Sequence, residues 1–122
     1  MALTKTTVTL LALQSIAAGL TKATAVFGAW QDVRAYNRQT VRWMLTNGAS
    51  APGVAPTLIV QTSPDNGTTI YDEYIVGGDT VASSVNSGPI PTDDTTMYVR
   101  VGVFGHTTNA VTGQASLQTE TL

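Results

Sequence analysis

A single histidine is the first residue in this sequence whose chemistry could support catalysis. His106 follows Gly105 in a stretch that is typical of a hairpin turn. A catalytic triad needs a nucleophile and an orienting carboxylate in contact with the imidazole. Nothing near His106 resembles such a site, and the Gly-x-Ser-x-Gly pattern of hydrolase nucleophiles is absent. We therefore interpret His106 as a surface residue in a turn.

Two pairs of neighbouring carboxylates, Asp72-Glu73 and Asp93-Asp94, are the next candidates, because glycoside hydrolysis uses two acidic groups. Neighbours in a strand point to opposite faces, so the first pair cannot flank one glycosidic bond. The second pair follows Pro91 and is typical of the beginning of a turn. The stretch Asp65-Asn66-Gly67 lacks the later oxygen ligands of a calcium loop, and it too predicts a turn.

The composition excludes most other kinds of catalytic and metal-binding site. There is no cysteine and only one histidine, which excludes thiolate sites, disulfides and histidine-rich zinc sites. No phosphate-binding glycine loop is present. The sequence therefore predicts a protein that is not an enzyme, with no catalytic, cofactor-binding or metal-binding residues and no small-molecule substrate.

Aromatic side chains leave a choice between sugar stacking and packing. Trp43 and Phe104 lie in alternating strand patterns, which indicates packing in a core or an interface. Trp30 and Tyr36 lie in or beside a turn, where either role fits. A carbohydrate-binding module that uses Trp30, Tyr36 or Tyr71 is therefore kept as an alternative.

Length and charge point to one small domain with a covered surface. A chain of 122 residues fits one domain, and only 11% of its residues are charged, against roughly 25% in typical soluble domains. The net charge of -2 argues against a nucleic-acid partner. The apolar run Val8–Leu20 is too short to span a bilayer. The polar residue Gln14 interrupts the run, which argues against a signal peptide. We expect no membrane partner and synthesis in the cytoplasm.

Short β-rich runs separated by turn residues predict an all-β fold. The clearest feature is a hairpin over Pro56–Tyr74, with a turn at Ser63–Gly67. The other predicted strands are Lys22–Phe27, Asn37–Thr46, Thr80–Val85, Thr96–Phe104 and Ala110–Glu120, with loops at 47–56 and 86–94 and a hairpin connection at Gly105–Asn109. We predict an antiparallel β-sandwich, jelly-roll or Ig-like, of about seven or eight strands. Residues 1–20 form an N-terminal arm or first strand, for which a helix over Leu10–Ala18 is the alternative, and residues 21–122 form the sandwich domain.

The hairpin also carries a resemblance to a known family. Its sequence Gln-Thr-Ser-Pro-Asp-Asn-Gly-Thr-Thr-Ile-Tyr-Asp resembles a pattern in small β-sandwich virion proteins of tailed bacteriophages, in which a strand ends in Ser-Pro-Asp-Gly before Thr-Thr, an aromatic residue, Tyr and Asp. Here Ile70 stands in place of the aromatic residue, and Asn66 is an extra or altered turn residue. The strand Met97–Val101 is similar to the penultimate strand of that family, and the resemblance covers roughly residues 40 to 120.

The resemblance implies a head decoration or cement protein on the capsid surface of the virion. Such a protein would bridge and stabilise subunits of the major capsid protein and would bind copies of itself as a homo-oligomer. A tail or neck position in the virion is the alternative. The residues we predict at the subunit interface are apolar positions of the arm and three residues near the Trp30 turn: Val8, Leu10, Leu11, Leu13, Ile16, Trp30, Arg34 and Tyr36. We expect deletion of residues 1–16 to abolish capsid occupancy and to leave the sandwich folded.

Overall fold

Residues 3–121 form nine strands in two antiparallel sheets. A computed structural model describes residues 3–121, and within them the helical structure is one 3-10 turn, Lys22–Thr24. The strands are β1 (Thr4–Ile16), β2 (Val26–Phe27), β3 (Gln31–Asp32), β4 (Gln39–Asn47), β5 (Thr57–Ser63), β6 (Tyr71–Gly77), β7 (Val85–Pro91), β8 (Tyr98–Phe104) and β9 (Val111–Thr121). The predicted all-β antiparallel sandwich is confirmed.

The strand order identifies the sandwich as a jelly roll. One sheet has the order β1-β9-β4-β7, and the other has β2-β8-β5-β6, with β3 also paired to β8. Since β2 and β3 lie along the same edge of β8, they act as one interrupted strand. The first strand, β1, therefore lies beside the last, β9, and β2 with β3 lies beside β8. β4 lies beside β7, and β5 and β6 form the central hairpin. That nesting is a long hairpin rolled into two sheets, which is the jelly-roll arrangement and not the Ig-like one.

Alternation along the strands builds the core between the sheets. Val41 and Leu45 on β4, and Val99, Val101 and Val103 on β8, have no exposed surface. Residues of the opposite parity, such as Arg42 and Arg100, point outward. Burying one such Val or Leu contributes about 1.5–3 kcal/mol, so these strands hold the sheets together.

The N-terminal segment is a strand of the sandwich. β1 pairs with β9 from Thr4 to Ile16, with two register shifts on the way. Leu10, Leu11 and Ile16 are at most 1% exposed and belong to the same buried cluster as Val41. The helix alternative is therefore wrong. Residues 1–16 supply three core side chains and an edge strand, so we now expect a chain without them to lose its fold and not to keep it.

The central hairpin is confirmed, and hydrogen bonds explain its turn. Asp65 accepts bonds from Thr69 N at 2.6 Å and Thr69 Oγ1 at 2.8 Å, and Ser63 Oγ accepts one from Gly67 N at 2.8 Å. Asn66 and Gly67 both have positive φ, which these two residue types tolerate best. The return strand is displaced to Tyr71–Gly77 and carries a bulge at Glu73.

Three predicted segments differ from the structure. Lys22–Phe27 is a 3-10 turn that ends in the two-residue β2. Thr80–Val85 is a turn, and the strand that follows occupies Val85–Pro91, where we predicted a loop. Gly105–Asn109 connects β8 to β9 in different sheets, so it is not a hairpin connection. Pro89 and Pro91 are typical of a loop, whereas in the structure they lie in the edge strand β7, and edge strands are where a sheet accepts proline.

Candidate protein interface

His106 is buried, which corrects the prediction of a surface turn residue. It has no exposed surface, and its Nε2 lies 2.9 Å from the carbonyl oxygen of Ile16. Because that oxygen only accepts, Nε2 carries the proton, and Nδ1 is buried without a partner in the described residues. His106 therefore fastens the end of β1 to the loop between β8 and β9, and its imidazole is closed to a substrate.

The acidic candidates are engaged in local structure. Asp72 accepts hydrogen bonds from Gln61 at 2.8 Å and from Lys22, and Lys22 is the main cause of the lowered pKa of Asp72. Glu73 accepts a bond from Thr62 Oγ1 at 2.8 Å. Gln61 and Thr62 are neighbours on β5, so their side chains face opposite sides of the sheet. Asp72 and Glu73, which bind them, therefore also lie on opposite sides. Among residues 3–121, no group of His, Asp and Glu side chains could hold a metal ion.

Trp30 belongs to a packed cluster on the outer face of the five-stranded sheet. The Arg100 guanidinium lies 3.9 Å from the centre of the Phe27 ring and 4.7 Å from that of Trp30, and its Nε donates to Gln61 at 2.8 Å. Burial lowers the pKa of Arg100 from its ordinary value. These cation–π contacts hold Phe27 and Trp30, which precede β4 in the chain, against Arg100 of β8. Trp30 is therefore a packing residue of this sheet.

The predicted interface residues divide into buried and exposed ones. Leu10, Leu11 and Ile16 contribute to the domain's own core, and Val8, Tyr36 and Trp30 are half-buried. Leu13, at 67% exposed, and Arg34 remain accessible to a neighbour. Arg34 pairs with Asp32 at 2.7 Å, and this lowers the pKa of Asp32 to about 2. An interface at Leu13 and Arg34 stays a prediction.

Exposed apolar side chains instead gather beside β6. We define the β6 flank as Ile70–Val85 together with Met97. It contains seven of the eleven large apolar side chains that are strongly exposed within residues 3–121: Ile70, Tyr71, Tyr74, Ile75, Val81, Val85 and Met97. Contiguous exposed apolar surface marks sites of interaction between proteins. The sequence held a signal for this flank, since Tyr74-Ile75-Val76 is apolar without alternation, but it did not show which strand is an edge.

A groove runs along the inner side of this flank. It has a volume of about 260 Å³, and its walls include Tyr71 and Tyr74 of β6, the bulged Glu73, and Asp93 and Met97. Thr95 N and Oγ1 both donate to Asp93 Oδ1, which confirms the turn predicted there. The aromatic walls and the carboxylates give the groove a mixed apolar and acidic lining.

Comparison with known proteins finds a likeness in fold. No protein-family model matches the chain, and no curated protein matches it. A solved structure of infectious bursal disease virus, Gx strain, contains a chain that is similar over 99% of this one, with a TM-score of 0.54 and 11% identity. This chain spans 33% of that viral chain. No helix within residues 3–121 is long and apolar enough to cross a bilayer.

Proposed function

We propose that this chain is a non-enzymatic structural protein of a virion, which acts by binding other protein subunits. The β6 flank is the observation that carries the proposal, because it holds seven of the eleven strongly exposed large apolar side chains of residues 3–121, and exposed apolar surface marks sites where proteins bind. The low content of charged residues and the fold shared with a chain of a virus structure support it. The candidate catalytic residues His106, Asp72, Glu73 and Asp93 support it too, since each has a hydrogen-bond partner in the local structure.

The finer proposal is a head decoration or cement protein of a tailed bacteriophage. The sequence resemblance supports this class, in which the chain bridges subunits of the major capsid protein on the capsid surface and binds its own copies. Many copies on one shell act together, so a modest contact at each copy gives strong total binding. A tail or neck position remains the alternative within the virion.

Quantitative mass spectrometry of purified virus particles tests both the virion role and the finer assignment to the head. A symmetric shell predicts on the order of hundreds of copies per particle, whereas a tail or neck predicts about a dozen or fewer. Absence of the chain from the particles contradicts the virion role.

Variants then test the flank in the same particles. Ile70→Ser combined with Ile75→Ser removes two exposed apolar side chains, and we expect the copy number to fall by about tenfold or more. Val54→Ser is the matched control, because Val54 is 53% exposed but lies outside the flank. Equal incorporation of the flank variant and the control contradicts the role of the flank.

The groove favours a second candidate, a carbohydrate-binding module. Tyr71 and Tyr74 could stack on a sugar ring, while Glu73 and Asp93 accept its hydroxyl hydrogens. Titration calorimetry with a panel of oligosaccharides tests this candidate. Saturable binding that Tyr71→Ala abolishes favours it, and absence of binding across the panel rejects it.

A further inference from the structure

The geometry points to the open edge of β6 as a site of self-association, at which the same edge of a second copy adds as an antiparallel strand about a two-fold axis. This inference rests on the part of the proposed function that has the chain bind copies of itself. A strand edge presents unpaired backbone N–H and C=O groups, so every sheet must cover, interrupt or use its edges.

Three of the four sheet edges are interrupted. β1 has two register shifts, and β2 and β3 are two residues each. On β7, the bonds from Thr92 N to Gln39 O and from Asn47 N to Ser84 O fix which residues face β4. By alternation, residues 85, 87, 89 and 91 face outward, and two of these four are prolines, which have no N–H to donate.

β6 lacks such protection over its second half. The bond from Gly78 N to Pro56 O at 2.8 Å fixes the parity, so Ile75 and Gly77 direct their N–H and C=O groups away from β5. Residues 74–77 contain no proline and no charge, and the Ile75 side chain is 64% exposed. The bulge at Glu73 limits the regular edge to this stretch.

The stretch is complementary to itself. An antiparallel pair centred on Ile75 places Ile75 opposite its counterpart and Tyr74 opposite Val76, which are favourable cross-strand partners. Asp72 and Glu73 fall opposite Gly78 and Gly77 of the other copy. No carboxylate therefore faces a carboxylate, although β6 carries two of them. This charge arrangement favours a second copy as the occupant, and the two sheets join into one of ten strands with β2 and β3 counted separately.

Charge substitution at the axis gives the decisive experiment. Ile75→Lys places two ammonium groups opposite each other, and Ile75→Glu places two carboxylates opposite each other, so each variant alone is expected to be monomeric. An equimolar mixture pairs Lys with Glu and is expected to restore the dimer. The fold tolerates both changes because Ile75 is largely exposed and outside the core cluster. Sedimentation equilibrium over a concentration series measures the mass of each sample.

Hydrogen exchange of the wild-type chain adds a readout at single amides. We expect the Ile75 amide, which pairs with its counterpart at the two-fold axis, to exchange about tenfold or more slowly at high concentration than at low concentration. The outward Val85 and Ser87 amides of β7 are the matched control and should not change. Ser87→Pro should likewise leave the dimer intact.

The outcomes separate this inference from the proposed function. A wild-type chain that is monomeric throughout, variants that still dimerise, or a mixture that fails to recover each overturn self-pairing at β6. Protection of the Ile75 amide only within particles assigns the edge to a capsid segment and also overturns it. The copy number in particles is measured separately, so the virion role can stand when the dimer fails, and the dimer can stand when the virion role fails.

Discussion

β6 and β7 are consecutive strands of seven residues each, and they form edges on the same side of the sandwich with opposite properties. Four residues of β7 direct their backbone N–H and C=O groups away from β4, and two of them are prolines. β6 contains no proline, and its outward-directed residue Ile75 is exposed. Both prolines keep the internal ladder of β7 intact, because only outward N–H groups are lost. The position of a proline relative to the hydrogen-bond ladder therefore decides whether the proline ends a strand or closes its edge to further pairing.

Opening the β7 edge should have the largest effect. Pro89→Thr combined with Pro91→Thr restores two outward donors and gives the chain a second open edge on the same flank. We expect static light scattering to detect species larger than the dimer that grow with concentration, because two open edges permit continued addition. Pro64→Thr, in the turn before β6, is the control. If the β7 variant has the same mass as the wild type, the two prolines are not what closes the β7 edge.

The turn that positions β6 should contribute the next largest effect. Gly67 has φ of +97°, and an added Cβ would lie 2.6 Å from Trp30 Nε1. Gly67→Ala should therefore lower the free energy of unfolding by about 1–3 kcal/mol. At Gly77, on β6 itself, an added Cβ would meet Pro56 O at 3.9 Å, an ordinary van der Waals contact, so Gly77→Ala should change the free energy of unfolding by less than about 1 kcal/mol. Urea denaturation measures both, and equal effects would count against this account of the turn.

The bulge of β6 depends on one hydroxyl. Thr62→Val removes the 2.8 Å bond to Glu73 and should cost about 1 kcal/mol of unfolding free energy. Thr46→Val is the matched control opposite β7, since the Thr46 hydroxyl makes no hydrogen bond within the described residues. Thermal unfolding of the two variants provides the measurement. A loss of stability in the control as large as that in Thr62→Val would remove the special role of the bulge.

Acid should weaken β6 through its own carboxylate Asp72, whereas β7 contains no carboxylate and is affected only through Asp79 in the preceding turn, whose pKa is lowered mainly by the hydrogen bond from Ser84. The pKa of Asp72 is lowered, first by the hydrogen bond from Lys22 and then by that from Gln61. A lowered folded-state pKa stabilises the fold above the unfolded value of about 3.9, and this contribution is lost as the pH falls below it. Asp72→Asn should therefore show a shallower fall in unfolding free energy between about pH 4 and pH 2 than the wild type. Parallel curves would refute this.

Local patterns were enough to predict much of the fold. Alternation at Val41, Leu45 and Val99 predicted strands and their inward faces, and the residues 63–67 predicted the central turn. Period-two patterning and turn chemistry act between near neighbours, so they can be read from the sequence alone. Two features misled the same reasoning: apolar Leu10 indicated an intersubunit arm, and the prolines of β7 indicated a loop.

By itself, the sequence determined that this chain is an all-β sandwich with a low content of charged residues. The tertiary structure decided which strands are edges, that β1 fills its own core, that His106 is buried and that the exposed apolar side chains gather beside β6. These properties depend on pairings between segments far apart in the chain, such as β1 with β9. Strand order is set by the total burial of the rolled sandwich, and no local stretch of residues encodes that sum.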